Sequence, residues 1–372
     1  MGMRTSFVIL FLLLPSSMSV LAQSTGNRPG KKERKEDKEL NMLPLIFSSP
    51  ETGLAFGAIG VFQKHLFPGD TTSRKSVAML GVSYALNNQF FVFTQPDIFF
   101  KKEKFRLRSS LGYGQILDRY WGIGNETAEN GEEEVEYNQV IFESAFYYQY
   151  RPNLFIGWQY RLNNQFNVDR EENGLLEFDG ATVGGSGSLI SGMGPALLFD
   201  NRENQVNPSN GWFLNLSAAF HGGGLASEFD FDRYLVDVRH YIKMHPKEHH
   251  ILALQGYGLF SSGQPPFKQM AELGGAQMRG YFVGRFRDRN MVSMQAEYRS
   301  PLLFWRISAV GFAGMGRVAE HIEDLNLDGF KPSYGGGLRI MLDKVDRVNL
   351  RLDVGFGEDG NTGIYFGFTE AF

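Results

Sequence analysis

The chain has 372 residues, among them 44 glycines, 33 phenylalanines and no cysteine, which excludes disulfides, iron–sulfur clusters, thiol catalysis and Cys-ligated zinc. Lys+Arg 37 against Asp+Glu 41 gives a formal charge of −4, so no basic excess exists to hold nucleic acid. The strongest apolar run, 7–14, stops at Pro15, well short of the ~20 residues of a spanning helix.

The N-terminus reads as an export signal over 1–22. Arg4 supplies the positive start, 7–14 the apolar centre, and Val20-Leu21-Ala22 a small-residue cleavage site. Residues 23–41 form a charged periplasmic linker. Its centre, KKERKEDKE, interleaves both signs and offers nothing apolar to bury.

From 42 to 372 the pattern has period two. In 140–151, Val140, Phe142, Ser144, Phe146, Tyr148 and Tyr150 alternate with Ile141, Glu143, Ala145, Tyr147, Gln149 and Arg151. In 348–356, Val348, Leu350, Leu352, Val354 and Phe356 alternate with Asn349, Arg351, Asp353 and Gly355. Such alternation predicts strands with one apolar and one polar face. The predicted strands lie near 54–65, 75–86, 89–99, 105–113, 136–150, 154–164, 182–200, 211–221, 229–241, 250–260, 291–299, 306–315, 333–342, 348–356 and 363–371. That number is odd and would leave the N-terminus outside. A further strand at 42–49, closed by the turn Pro50-Glu51-Thr52-Gly53, restores an even count of sixteen.

A soluble sandwich would hide the apolar faces, whereas a membrane barrel turns them to lipid and keeps the polar ones in its lumen. Opposed charges and small residues on the polar faces favour the barrel, as do aromatics near strand ends. The C-terminal Phe372 follows Ile364, Phe366 and Phe368 on one face and reads as the C-terminal barrel signal. The expected fold is therefore an all-β transmembrane antiparallel barrel in the bacterial outer membrane. Short turns at 101–104, 151–153 and 244–250 are expected in the periplasm. Long loops at 114–135, 165–181, 261–290 and 316–332 are expected outside.

The loop LGGAQMRGYFVGRFRDRN at 273–290 carries Arg279-Gly280-Tyr281 and then Gly284-Arg285-Phe286-Arg287-Asp288. It resembles the sixth extracellular loop of the BamA/TamA-type outer-membrane proteins, the bacterial surface antigen family. Further segments are similar in the same order: LIFSSPETGL at 45–54, YWGIGN at 120–125, GPALLFDNRENQVNPSNGW at 194–212, Glu297-Tyr298-Arg299-Ser300-Pro301-Leu302, LRLDVG at 350–355 and Glu370-Ala371-Phe372. The resemblance covers about 42–372 and implies a sixteen-stranded barrel with the arginine loop folded into its lumen. It departs from the family in two places. Members that insert or secrete proteins usually carry POTRA domains before the barrel, and here only the linker separates signal and first strand. Phe312-Ala313-Gly314 also places Gly314 where the family commonly has an acid.

The residues around that loop support a lock. On 291–299, Ser293, Gln295, Glu297 and Arg299 share the lumen face. A guanidinium carried in by the loop can bind Glu297 bidentately. Arg279, Gly280, Tyr281, Gly284, Glu297 and Phe312 are the expected lock residues. Glu297 is expected to carry most of the pairing, with an Asp at 314 able to restore a second acid. The calcium-like run Asp324-x-Asn326-x-Asp328-Gly329 has Gly335 in place of the bidentate Glu, so no metal is expected. No catalytic set and no cofactor motif is found, and an enzyme is not expected.

The expected partners are outer-membrane lipids, the barrel-assembly machinery during the protein's own insertion, and client or accessory outer-membrane proteins, with no nucleic acid. The arginine loop favours an accessory in outer-membrane protein or lipid insertion or translocation. The missing POTRA domains favour the alternative, a passive channel or structural barrel.

Overall fold

A computed structural model describes residues 40–372 apart from 65, 67–75, 129–130, 173, 179–181, 205–206, 247–248 and 344–346. The expected signal peptide 1–22 and residues 23–39 of the expected linker lie outside the described residues. The strands in chain order are β1 (Leu40–Phe47), β2 (Ala55–Lys64), β3 (Ser76–Ala85), β4 (Phe90–Phe100), β5 (Phe105–Tyr120), β6 (Glu133–Arg151), β7 (Leu154–Asp169), β8 (Ser188–Asp200), β9 (Gly211–His221), β10 (Phe231–Lys243), β11 (Ile251–Gly263), β12 (Ala271–Leu273), β13 (Phe286–Asp288), β14 (Asn290–Arg299), β15 (Ile307–Ala319), β16 (Lys331–Asp343), β17 (Val348–Phe356) and β18 (Thr362–Phe368). Sixteen of them form one antiparallel sheet in sequence order, interrupted only where β11 pairs with β14. The small hairpin β12–β13 belongs to the intervening loop.

The sheet curls into a nearly closed barrel. Among the described residues its first and last strands meet at a single bridge, where Ser48 and Phe366 exchange two backbone hydrogen bonds of 3.0 and 2.9 Å. Adjacent strands elsewhere pair over seven residues or more, for example Leu350 to Phe368 and its successors between β17 and β18. The β1–β18 seam is thus the weakest join in the wall.

Burial follows the alternation in an inverted sense. On β14, Ser293, Gln295, Glu297 and Arg299 are buried, whereas Met294 and Tyr298 point outward and are exposed. Leu80, Trp158, Trp212, Leu338 and Ile364 are among the exposed large apolar side chains of the outer belt. The interior holds Arg106, Asp118, Asp237, Arg239, Arg339 and Asp353. Charges inside and aromatics outside reverse the layout of a water-soluble sandwich.

Several expected boundaries shift, among them β1, which begins at Leu40 within the expected linker, and β7, which runs on to Asp169 rather than 164. β5 runs to Tyr120 and β6 starts at Glu133, so the loop expected over 114–135 shrinks to 121–132. The extra length exists because Ile116, Tyr120, Val135 and Tyr137 bury their apolar faces in a cluster with Phe267 of the inward loop. β8 begins at Ser188 rather than 182. β18 stops at Phe368, because Thr369 takes a left-handed φ of 66° and turns the chain away.

Candidate functional site

The segment between β11 and β14 folds into the barrel as a plug with its own core. Leu259, Ala271, Leu273, Met278, Tyr281, Phe286, Met291 and Val318 form one buried cluster that joins loop to wall. The tip lies directly on the backbone of β17. A Cβ at Gly280 would sit 2.7 Å from the Phe356 carbonyl carbon, and Gly280 has φ 115°. Only glycine permits this approach and this conformation. Gly284 (φ 80°) turns the chain again, and a side chain there would strike the Arg287 guanidinium at 2.4 Å. Two tyrosines fasten the tip: Gly280 N–H donates to the Tyr365 hydroxyl at 3.0 Å, and the Tyr281 hydroxyl donates to the Pro332 carbonyl at 2.7 Å.

The register of β14–β18 sets a charge network under this tip. Arg279 Nη1 donates to Asp353 Oδ2 at 2.7 Å. Arg279 Nη2 stands 2.7 Å from Glu297 Oε2, but that oxygen is not aligned as a hydrogen-bond acceptor, so the contact is Coulombic. The guanidinium also stacks on Phe312, 3.6 Å from the ring centre. Glu297 Oε1 accepts from Arg299 Nε at 2.8 Å, and Arg339 joins Asp353 to Glu370, the latter at 2.7 Å. Arg279, Glu297, Asp353, Arg339, Arg299 and Glu370 are all at most 6% exposed. Three arginines thus alternate with three carboxylates, which is how charges survive out of bulk water.

The structure therefore brings Arg279, Glu297 and Phe312 together, with Gly280, Tyr281 and Gly284 shaping the loop. It departs from the expected pairing in one respect. Arg279 does not grip Glu297 bidentately; it spans two acids, and Asp353 supplies the second. Nor does Gly314 have room for a carboxylate. A Cβ there would lie 2.8 Å from the Met294 carbonyl oxygen and 3.0 Å from the Gln295 Cβ. The sequence held a signal for Asp353, the single acid on the polar face of LRLDVG, but nothing in it placed β17 beneath the loop.

Two other anchors hold the plug to the opposite wall. Lys268 pairs with Asp118 of β5 and, at 2.7 Å, with Glu272, and Arg287 lies 3.6 and 3.4 Å from the same two acids. Glu51, in the turn between β1 and β2, accepts the Val283 N–H at 2.9 Å. Glu51 is fully buried, and desolvation pushes its carboxyl up to about 7.

Phe372 is not on the outer face with Ile364. Glu370 is drawn inward by Arg339 and by Asn349 Nδ2 at 2.6 Å, and Arg299 Nη2 donates to the Phe372 carbonyl at 3.0 Å. The Phe372 ring consequently packs with Tyr241, Ala253 and Ala371 inside the barrel mouth. In the calcium-like run, Asn326 Oδ1 accepts from Arg317 at 2.6 Å, and among the described residues no three acids or histidines converge as metal ligands.

The family model described as the Omp85 superfamily domain matches residues 78–372. No curated protein is significantly similar in sequence. Among solved structures, the chain is similar to BamA from Haemophilus ducreyi lacking POTRA domains 1–3, with TM-score 0.61 and 13% identity over 90% of this chain and 71% of that one. CdiB from Acinetobacter baumannii follows with TM-score 0.57 and 12% identity over 89% of this chain and 60% of that one. CdiB from Escherichia coli matches with TM-score 0.59 and 8% identity over 90% of this chain and 63% of that one. The chain thus spans less than two thirds of the length of either CdiB chain.

Proposed function

Since this chain belongs to the Omp85 superfamily, we propose that it is an outer-membrane barrel that assists insertion or translocation of outer-membrane proteins or lipids, with the β1–β18 seam as the exit. The observation that carries the reading is the single Ser48–Phe366 bridge in a wall that is otherwise paired over long registers. Two short backbone hydrogen bonds contribute little net stability, about 0.5–1.5 kcal/mol each. A seam of that strength opens far more readily than any other pair of strands, and an open strand edge templates an incoming strand. The exposed apolar belt supports a lipid surrounding, because water-facing aromatics in such number would aggregate. The interior plug supports a lateral rather than an axial route. A barrel whose lumen is obstructed by a packed loop is a poor conduit along the axis.

The test uses the absence of native cysteine. Ser48 and Phe366 form a hydrogen-bonded antiparallel pair, a geometry whose ~5.5 Å Cα separation accommodates a disulfide. The Ser48→Cys/Phe366→Cys variant is reconstituted in liposomes, and the rate at which an unfolded outer-membrane barrel inserts is measured. The reduced variant should accelerate insertion and the oxidised one should not. Equal insertion rates in empty liposomes and in liposomes holding the reduced variant or the wild type would leave the passive or structural barrel as the reading.

A further inference from the structure

The plug does not fill the whole lumen. Between it and the wall lies a cavity of about 340 Å³, lined by both polar and apolar side chains of the strands and by Lys268, Glu272 and Gln277 of the loop. That volume is at the lower end of small-molecule sites.

Most of the charges around the cavity are paired. Arg106 grips Asp97 with two hydrogen bonds of 2.8 and 2.6 Å, Arg239 grips Asp237 at 2.6 Å, and Arg161 meets Glu143 at 2.6 Å. Lys268 is held between Asp118 and Glu272. Arg233 is the exception. Among the described residues no carboxylate lies within ion-pair distance of it. Its Nη1 donates to the neutral Gln269 at 2.9 Å, and its buried Nε has no partner. A second guanidinium, that of Arg161, lines the same cavity. Arg108 adds to the excess, since it reaches only to 3.8 Å of an Asp97 already engaged by Arg106. Surplus guanidinium charge held partly out of bulk water is unfavourable unless an anion completes it.

We propose that this cavity binds a small phosphate-type oxyanion, seated on the unpaired guanidinium of Arg233, with Arg161 on the same cavity wall sharing its charge between that anion and Glu143. Guanidinium forks match the oxygens of such an anion in pairs, which a point charge does not. The ligand enters from solvent and not from lipid. Arg233 lies on the lumen face of β10, while its neighbour Tyr234 is the exposed outward residue. The Gln269 contact places the rim of the plug against the site, so plug and ligand share one arginine.

The test is calorimetric titration of inorganic phosphate into the full chain in a zwitterionic detergent, against potassium chloride at matched ionic strength. Wild type should show saturable phosphate binding that chloride does not reproduce. Arg233→Gln and Arg161→Gln should each weaken it at least ten-fold while keeping the folded, heat-sensitive migration on gels. If Arg233→Gln does not fold, Arg233→Lys, which keeps the charge and loses the fork, should weaken binding measurably. No phosphate binding beyond the chloride response, unchanged affinity in the folded variants, or a heat signal seen only when phosphatidylglycerol is present each overturns the proposal.

Discussion

Arg279 and Asp353, 74 positions apart, meet inside the barrel through a 2.7 Å hydrogen-bonded ion pair in which both side chains are at most 1% exposed. The same guanidinium faces Glu297 at 2.7 Å, so one arginine neutralises charge on two strands, β14 and β17. Removing one member of such a buried set leaves the others uncompensated, and this typically costs about 3–5 kcal/mol.

Arg279→Ala, Asp353→Ala and Glu297→Ala should each lower thermal stability and open the plug to external protease. Asp353→Ala should be at least as damaging as Glu297→Ala, because it removes the aligned hydrogen bond to Arg279 and leaves Arg339 with Glu370 as its one hydrogen-bonded acid. The Arg279→Ala/Asp353→Ala double variant should lose less than the sum of the two single variants, since the shared term is lost once. Strict additivity in a melting series would show that the arginine is held by something else.

Gly314→Asp should destabilise rather than rescue Glu297→Ala. Its Cβ would meet the Met294 carbonyl oxygen at 2.8 Å, and Asp353 already supplies the second acid. A melting temperature for Gly314→Asp/Glu297→Ala above that of Glu297→Ala would contradict this geometry.

Glu51 sets a pH dependence. Its carboxyl in the folded chain titrates at about 7 against an ordinary 4.5, raised by burial. The folded state therefore holds a proton that the unfolded chain has released. Its contribution is full below about 4.5 and is lost as pH rises through about 7, a change on the order of 3 kcal/mol. Glu51→Gln keeps the acceptor for Val283 N–H and removes the titration. It should flatten the stability profile over that window and raise the melting temperature at pH 8. A parallel profile for the two proteins would place the titration elsewhere.

Deleting 274–288 should widen the lumen, since these residues carry the plug core and the Arg279 contact. Planar-bilayer recordings should show larger and longer-lived conductance than wild type. A wild type that already conducts steadily at porin level would show that the plug does not stay in place.

The barrel was legible because lipid-facing and lumen-facing residues alternate along each strand, so fifteen segments from 54–65 to 363–371 stood out by period, and the need for an even count supplied 42–49. Arg279, Glu297 and Phe312 were legible as a set because their motifs are local. Asp353, Arg339 and Glu370 were not, because their meeting depends on the register of β16–β18, to which period two is blind. The upper parts of β5 and β6 were missed because 114–135, with Glu132, Glu133 and Glu134, was read as an extracellular loop. Their apolar partners, Val135 and Tyr137, are buried only once Phe267 of the plug arrives from far along the chain.

The six members of the arginine–carboxylate network all lie between 279 and 370, in the last quarter of the polypeptide, whereas Asp118 and Glu51 reach the plug from the first half. Contacts of short sequence separation close with the smaller entropy loss. Loop-closure entropy thus favours the contacts of the plug with β14–β18 over those with Asp118 and Glu51. The Ser48–Phe366 bridge joins the two ends of the described sheet and is the contact of the wall that costs most to close.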